Sequence, residues 1–128
     1  MNNNYYTQNG ILIRNPIAYC KTNAPMFNSE SIYDTYDINK KTYIYKLNLE
    51  NGKIYIGKTI NIKKRMKQHF NGEGSEVTKK FKPITCKILD SCPGLLADEL
   101  EQLYTNKYIT KYGYNNVRGG KYTNANTF

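Results

Sequence analysis

Tryptophan is missing from this sequence, histidine occurs once, as His69, and 10 carboxylates stand against 19 Lys and Arg. No apolar run approaches the roughly 18 residues of a membrane-spanning helix. The start, MNNNYYTQNG, has neither the basic opening nor the apolar stretch of a secretory signal. Its three cysteines, Cys20, Cys86 and Cys92, are odd in number and lack the close pairing of a zinc ribbon or finger. These absences speak against a disulfide framework, a zinc knuckle and a membrane partner. They lead to the expectation of an intracellular, non-secreted protein with reduced thiols. At 128 residues there is room for one domain and none for a second catalytic one.

What is abundant is positive charge, a net +9. Residues 1–40 balance three basic groups against three acidic ones, so residues 41–128 hold 16 basic against 7 acidic groups. A compact unit so charged attracts nucleic acid through phosphate contacts and counterion release. Lys63, Lys64, Lys67, Lys79, Lys80 and Arg118 are the candidate phosphate contacts.

Residues 1–40 are rich in Asn, Ser, Thr and Tyr, and hold no period of two or 3.6 for long, so a polar, largely flexible segment is expected there. ILI at 11–13 is the exception, able to add a short strand or dock on the domain. From Lys41 the pattern sharpens. KTYIYKLNLENGKIYIGKT reads as two strands around Asn51-Gly52, the strongest short hairpin signal. Asn61 can cap a helix through INIKKRMKQHF, with Gly72 past its end. PITCKIL, with Ile84, Cys86 and Ile88 alternating, reads as a third strand. LLADELEQLYTNKYITKY places Leu96, Leu100, Leu103 and Lys107 at helical spacing, with Gly113 as the stop. The order predicts an α+β fold, a three-stranded, mostly antiparallel sheet flanked by helices over residues 41–122, with a polar tail at 123–128.

The strands carry Tyr43-Ile44-Tyr45 and Tyr55-Ile56-Gly57. A two-residue Asn51-Gly52 loop makes partner numbers sum to 103 and puts Tyr45 and Tyr55 on opposite faces. A three-residue Glu50-Asn51-Gly52 loop, a type I turn with Gly52 left-handed, makes the sum 102 and puts both phenols on one face, with Ile44, Ile54 and Ile56 on the other. Gly52 suits either loop, so a shared site requires the longer one. Arg65 and His69, four apart on one helix face, offer a phosphate clamp and a group that titrates near neutrality. Glu101 lies seven before Tyr108 on the long helix, with Asp98 and Glu99 as competitors for any special role.

Together these residues resemble the GIY-YIG nuclease superfamily, and most closely its compact members from large DNA viruses. The likeness runs from about Thr42 to Lys121. YIY at 43–45 and YIG at 55–57 match its two motifs, followed by KTxNxxxRxxxH from Lys58 to His69. GEGSEVTKKFKP at 72–83 and KYGYNNVRGG at 111–120 look like further stretches of the viral branch. Tyr43 stands where the family has glycine, and Val77 where that branch often carries an aromatic.

The resemblance implies a metal-dependent endonuclease that hydrolyses phosphodiester bonds. Tyr45 and Tyr55 would be its active-site phenols, one activating water, and Lys58 would favour phenolate. Arg65 would stabilise charge on the phosphate, His69 would assist proton transfer, and Asn116 would stand beside the site. Glu101 would hold one Mg²⁺ (or Mn²⁺), a hard cation that keeps several waters. The expected partner is nucleic acid, DNA foremost, bound by a monomer or a transient dimer on substrate; a viral protein would act in the host cytoplasm or nucleus. The alternatives are a catalytically inactive nucleic-acid-binding module of the same fold, which would tolerate loss of Glu101, and an accessory protein whose tyrosines only fill a sheet.

Overall fold

A computed structural model describes residues 5–13, 40–126 and 128. Residues 1–4 and 14–39, most of the segment expected to be flexible, lie outside the described residues, as does Cys20. Strands β1 (Tyr5–Tyr6) and β2 (Leu12–Ile13) form a small hairpin. A four-stranded sheet follows, built from β3 (Lys41–Leu49), β4 (Ile54–Thr59), β5 (Pro83–Pro93) and β6 (Val117–Gly119) in the order β5-β3-β4-β6. Helices α1 (Ile62–Phe70) and α2 (Glu76–Lys80) lie between β4 and β5, and α3 (Ala97–Tyr112) between β5 and β6. No helix among the described residues is long and apolar enough to cross a membrane.

The β3-β4 hairpin has the register that brings the tyrosines together: Tyr45 faces Gly57 and Leu47 faces Tyr55. Its turn differs from the expected type I. Asn51 and Gly52 both have positive φ, 62° and 72°, and Lys53 N–H donates to Glu50 O. Two consecutive left-handed residues make a type I′ turn, which Asn-Gly accommodates. Glu50 is the extra residue that shifts the pairing. Its N–H donates to Lys82 O, so the residue just before β5 satisfies the group that the bulge frees.

The fourth strand, β6, pairs parallel to β4 through Ile54↔Val117 and Ile56↔Gly119, where three strands were expected. Three residues are too few to show a period. A Cβ on Gly119 would stand 2.5 Å from Ile56 O, so only a glycine lets β6 approach this closely.

Each sheet face has its own core. Against α3 lie Ile44, Ile54, Ile56, Leu89, Val117, Leu100 and Tyr104; against α1 and α2 lie Tyr45, Leu47, Leu49, Val77 and Phe128. Each such aliphatic side chain contributes about 1.5–3 kcal/mol on full burial. The buried stripe of α3 is Ala97, Leu100, Tyr104 and Thr105. Leu96 instead sits in the preceding 3₁₀ turn, and Lys107 is exposed. The alternation in PITCKIL does mark a strand, yet Ile84, Cys86 and Ile88 are exposed on this edge of the sheet. Burial begins at Leu89, the extra residue where the register slips between Tyr45↔Ile88 and Ile44↔Asp90. Asp90, itself buried, takes hydrogen bonds from Thr7, the Asn9 and Ser91 N–H groups and Tyr104, and so ties the first hairpin to the domain.

Candidate active site

The site lies on the α1 side of the sheet, and its geometry begins with two glycines. Gly57 faces Tyr45 across the hairpin, and a Cβ there would stand 2.4 Å from the phenol Cζ and oxygen. Gly74, in the turn after α1, would likewise place a Cβ 2.3 Å from His69 Nδ1. Bare backbone at both positions lets the two rings meet. Asn61 caps α1, its side chain accepting from Lys64 N–H at 3.0 Å, and so sets the helix whose last turn presents the buried His69. The rings of Tyr45, Tyr55 and His69 form a triangle with centroids 5.5–6.3 Å apart.

Tyr45 Oη and His69 Nε2 are 2.7 Å apart, and His69 Nδ1 is 3.0 Å from Thr78 Oγ1. The direction of these bonds follows from proton counting. The single proton of Thr78 Oγ1 goes to Ser75 O at 3.1 Å, so toward His69 this oxygen accepts. His69 therefore carries its proton on Nδ1, and its Nε2 lone pair receives the Tyr45 hydroxyl. Burial, and then the Arg65 guanidinium, push the imidazole down to about 4, so the ring is neutral at pH 7.

Burial raises both phenols above their ordinary value. At Tyr45 the neighbouring Tyr55 phenol adds to the rise, Arg65 opposes it, and the Glu101 charge contributes a smaller upward push. At Tyr55 Glu101 is the second cause, while Arg65 and the Ser75 hydroxyl pull downward. Arg65 also donates to Gln68 Oε1 at 2.8 Å. Glu101, on α3, thus acts on both phenols from beyond the sheet. Its own carboxyl is raised by burial and by Asp98, against Lys58 and the Gly120 N–H. It borders a cleft of about 410 Å³ lined also by Asp98, Glu99, Gln102, Gly120 and Lys121. No group of three or more His, Cys, Asp or Glu among the described residues could form an all-protein metal cage. The half-buried Glu101 carboxylate, with Asp98 and Glu99 on the same polar cleft, could instead offer oxygen ligands to a hard cation that keeps most of its waters.

The structure thus brings Tyr45, Tyr55, Arg65, His69 and Glu101 into one neighbourhood. Lys58 takes a different place: it pairs with Asp98 at 3.2 Å and acts on Glu101 rather than on the phenols. Asn116 does not join the group. It donates to Tyr112 O at 2.9 Å and accepts from Lys53 Nζ at 3.2 Å, at the far end of α3 from Glu101. Tyr112 follows Glu101 by eleven positions, about 16 Å along a helix.

Arg118 is not a surface cation either. It is fully buried, donates to Asn124 O at 2.7 Å, to Val117 O at 2.9 Å and to Tyr114 O, and stacks between the rings of Tyr114 and Phe128. Lys63, Lys64 and Lys67 are exposed along α1. Lys79 pairs with Glu76, and Lys80 donates to Ala125 O. Ser75, Thr78 and Gly74 went unnoticed in the sequence as parts of the site. Ser75 at the cap of α2, with Thr78 three residues on, was the available signal.

A family model described as the GIY-YIG catalytic domain matches residues 39–116, which contain every element from β3 to α3. A UPF0213 protein of Syntrophus aciditrophicus (strain SB) is 34% identical over 65 residues, covering 48% of this chain and 75% of that protein. No solved structure matches the chain significantly.

Proposed function

The chain belongs to the GIY-YIG family, and from that premise we propose that it is a metal-dependent endonuclease hydrolysing phosphodiester bonds in DNA. The observation that carries this reading is the 2.7 Å bond from the Tyr45 hydroxyl to a neutral, buried His69. A water beside Tyr45 gives its proton to the phenol oxygen while the phenol proton passes to His69 Nε2. The water oxygen forms the new bond to phosphorus, the opposite P–O bond breaks, and the leaving oxygen takes a proton from solvent. Arg65 offsets the charge that gathers on the phosphate. Tyr55 borders the same space and orients the water or the phosphate.

The relay has an energetic obstacle. Moving a proton from an ordinary phenol to an ordinary imidazole costs about 5 kcal/mol at roughly 1.4 per pKa unit. Burial here widens the gap from both sides. Glu101 would hold Mg²⁺ or Mn²⁺, which when bound supplies positive charge that eases phenol ionisation and neutralises the phosphate. The raised phenols are also what favours the rival reading, a binding module of the same fold. The placement among viral members rests on residues 72–83 and 111–120 alone.

The deciding experiment is incubation of supercoiled plasmid with wild type, Tyr45→Phe and Glu101→Ala, each with Mg²⁺ or with chelator. Nicking by wild type with Mg²⁺ only, and by neither variant, is expected. DNA binding without any nicking gives the binding module.

A further inference from the structure

The sheet face opposite the phenols carries a second basic surface. On it Lys46 of β3 stands directly across from Lys87 of β5. Opposed residues of an antiparallel pair present their side chains together, and like charges so placed repel. No carboxylate lies between Lys41 and Leu49 or between Pro83 and Leu89 to offset them. Lys46 Nζ lies 5.5 Å from the centroid of Tyr108, Tyr108 stacks on Tyr112 with 12° between the planes, and Lys111 Nζ lies 5.3 Å from the Tyr112 ring. Tyr112 is 44% exposed.

Helix α3 sorts its charge along its length. Asp98, Glu99 and Glu101 fall in its first part, and no carboxylate follows Glu101 in the sequence. The two ion pairs among the described residues, Lys58–Asp98 and Lys79–Glu76, are elsewhere. The result is a continuous run of Lys87, Lys46, Tyr108, Tyr112 and Lys111.

We propose that this face binds single-stranded nucleic acid, with phosphates at Lys46, Lys87 and Lys111 and a base stacked on Tyr112. Lysines that repel one another lose that cost when a phosphate lies between them. An exposed ring above them offers what an unpaired base needs, a π face without sequence demand. A duplex has no free base face and would leave Tyr112 unused. An acidic peptide would use the lysines and ignore the ring stack. Because the phenols lie on the other face, the strand held here is not the one being cut at Tyr45; the surface holds an unpaired flank of the substrate.

The test is binding of a short fluorescein-labelled oligothymidylate in chelator, where nothing is cut. Lys46→Gln combined with Lys87→Gln should weaken binding about tenfold and reduce the slope of log affinity against log salt by about 1.4, or 0.7 for each lost phosphate contact. Tyr112→Ala should weaken it at least about fivefold, and Tyr112→Phe, which keeps the ring face, should recover most of that loss. A duplex of equal length should lose less than about twofold in each variant. Unchanged oligothymidylate affinity in the lysine pair and in Tyr112→Ala overturns the proposal. So does a loss confined to the duplex, or competition by poly-glutamate as effective as by unlabelled oligothymidylate. Binding here needs no cleavage, so plasmid nicking by the same variants reports on the nuclease reading separately.

Discussion

Gly57 lies beneath the phenol of Tyr45 so closely that a methyl group on it would stand 2.4 Å from both the ring carbon Cζ and the hydroxyl oxygen. Tyr45 is nearly fully buried and cannot swing aside into solvent. Gly57→Ala should therefore keep the fold at a cost of about 1–3 kcal/mol, the usual range for overpacking. Nicking should fall by about a hundredfold, because displacing a reacting group by around 1 Å costs that much. Urea unfolding and plasmid nicking check the two parts. Wild-type nicking by a folded Gly57→Ala would remove Tyr45 from the chemistry.

Thr78 fixes which nitrogen of His69 is protonated, since its own proton is committed to Ser75 O. Thr78→Val removes the acceptor and leaves the Nδ1 proton unpaired in a buried site. Valine keeps the shape, so the loss of stability should be about 1–3 kcal/mol. The tautomer should change as well: ¹⁵N spectra of the imidazole should show a protonated Nδ1 in wild type and in Thr78→Ser, and a mixed population in Thr78→Val. An unchanged tautomer in the valine variant sinks this assignment.

The tyrosine motifs and the Asn-Gly turn were legible because period-two alternation and turn chemistry are local. The register was not. Sums of 102 and 103 satisfy the same residues, and the choice rests on Glu50 N–H reaching Lys82 O, 32 residues further on at the threshold of β5. β6 escaped for a different reason: three residues carry no period, and its place is set by the close approach that Gly119 allows. Arg118 read as a phosphate contact because composition cannot distinguish an arginine facing water from one enclosed by Tyr114 and Phe128. Asn116 and Lys58 were adjacent to the motifs in sequence, and α3 carries Asn116 away from Glu101 while Asp98 draws Lys58 aside.

Arg118 provides a test of that enclosure. Arg118→Met preserves much of the stem and removes donors from the carbonyls of Asn124, Val117 and Tyr114. The expected effect is a loss of about 3 kcal/mol, from charged hydrogen bonds broken and carbonyls left unsatisfied. DNA affinity of the folded variant should match wild type, because the guanidinium has no path to a phosphate. A variant with wild-type stability and weakened DNA binding would return Arg118 to the surface.

The only histidine of the sequence makes the protonation of the site directly measurable. In the folded protein burial and Arg65 hold His69 down at about 4, against an ordinary 6.5. With the folded value depressed, the unfolded chain binds the proton more readily. The stability His69 contributes is thus fully present above pH 6.5 and is lost as pH falls through the window down to about 4. The total, 2.5 pKa units, amounts to about 3 kcal/mol. Glu101, whose carboxyl is raised, contributes in the opposite sense on the acid side, so unfolding curves alone mix the two. The ring proton resonance of His69 does not mix them: its NMR midpoint should lie near 4, with no step at 6.5 while the fold persists. Tyr45→Phe removes the hydroxyl that Nε2 accepts and leaves burial and Arg65 in place, so its midpoint should stay well below 6.5. A wild-type midpoint at 6.5 would mean a solvated imidazole, and the relay from Tyr45 to His69 would lose its acceptor.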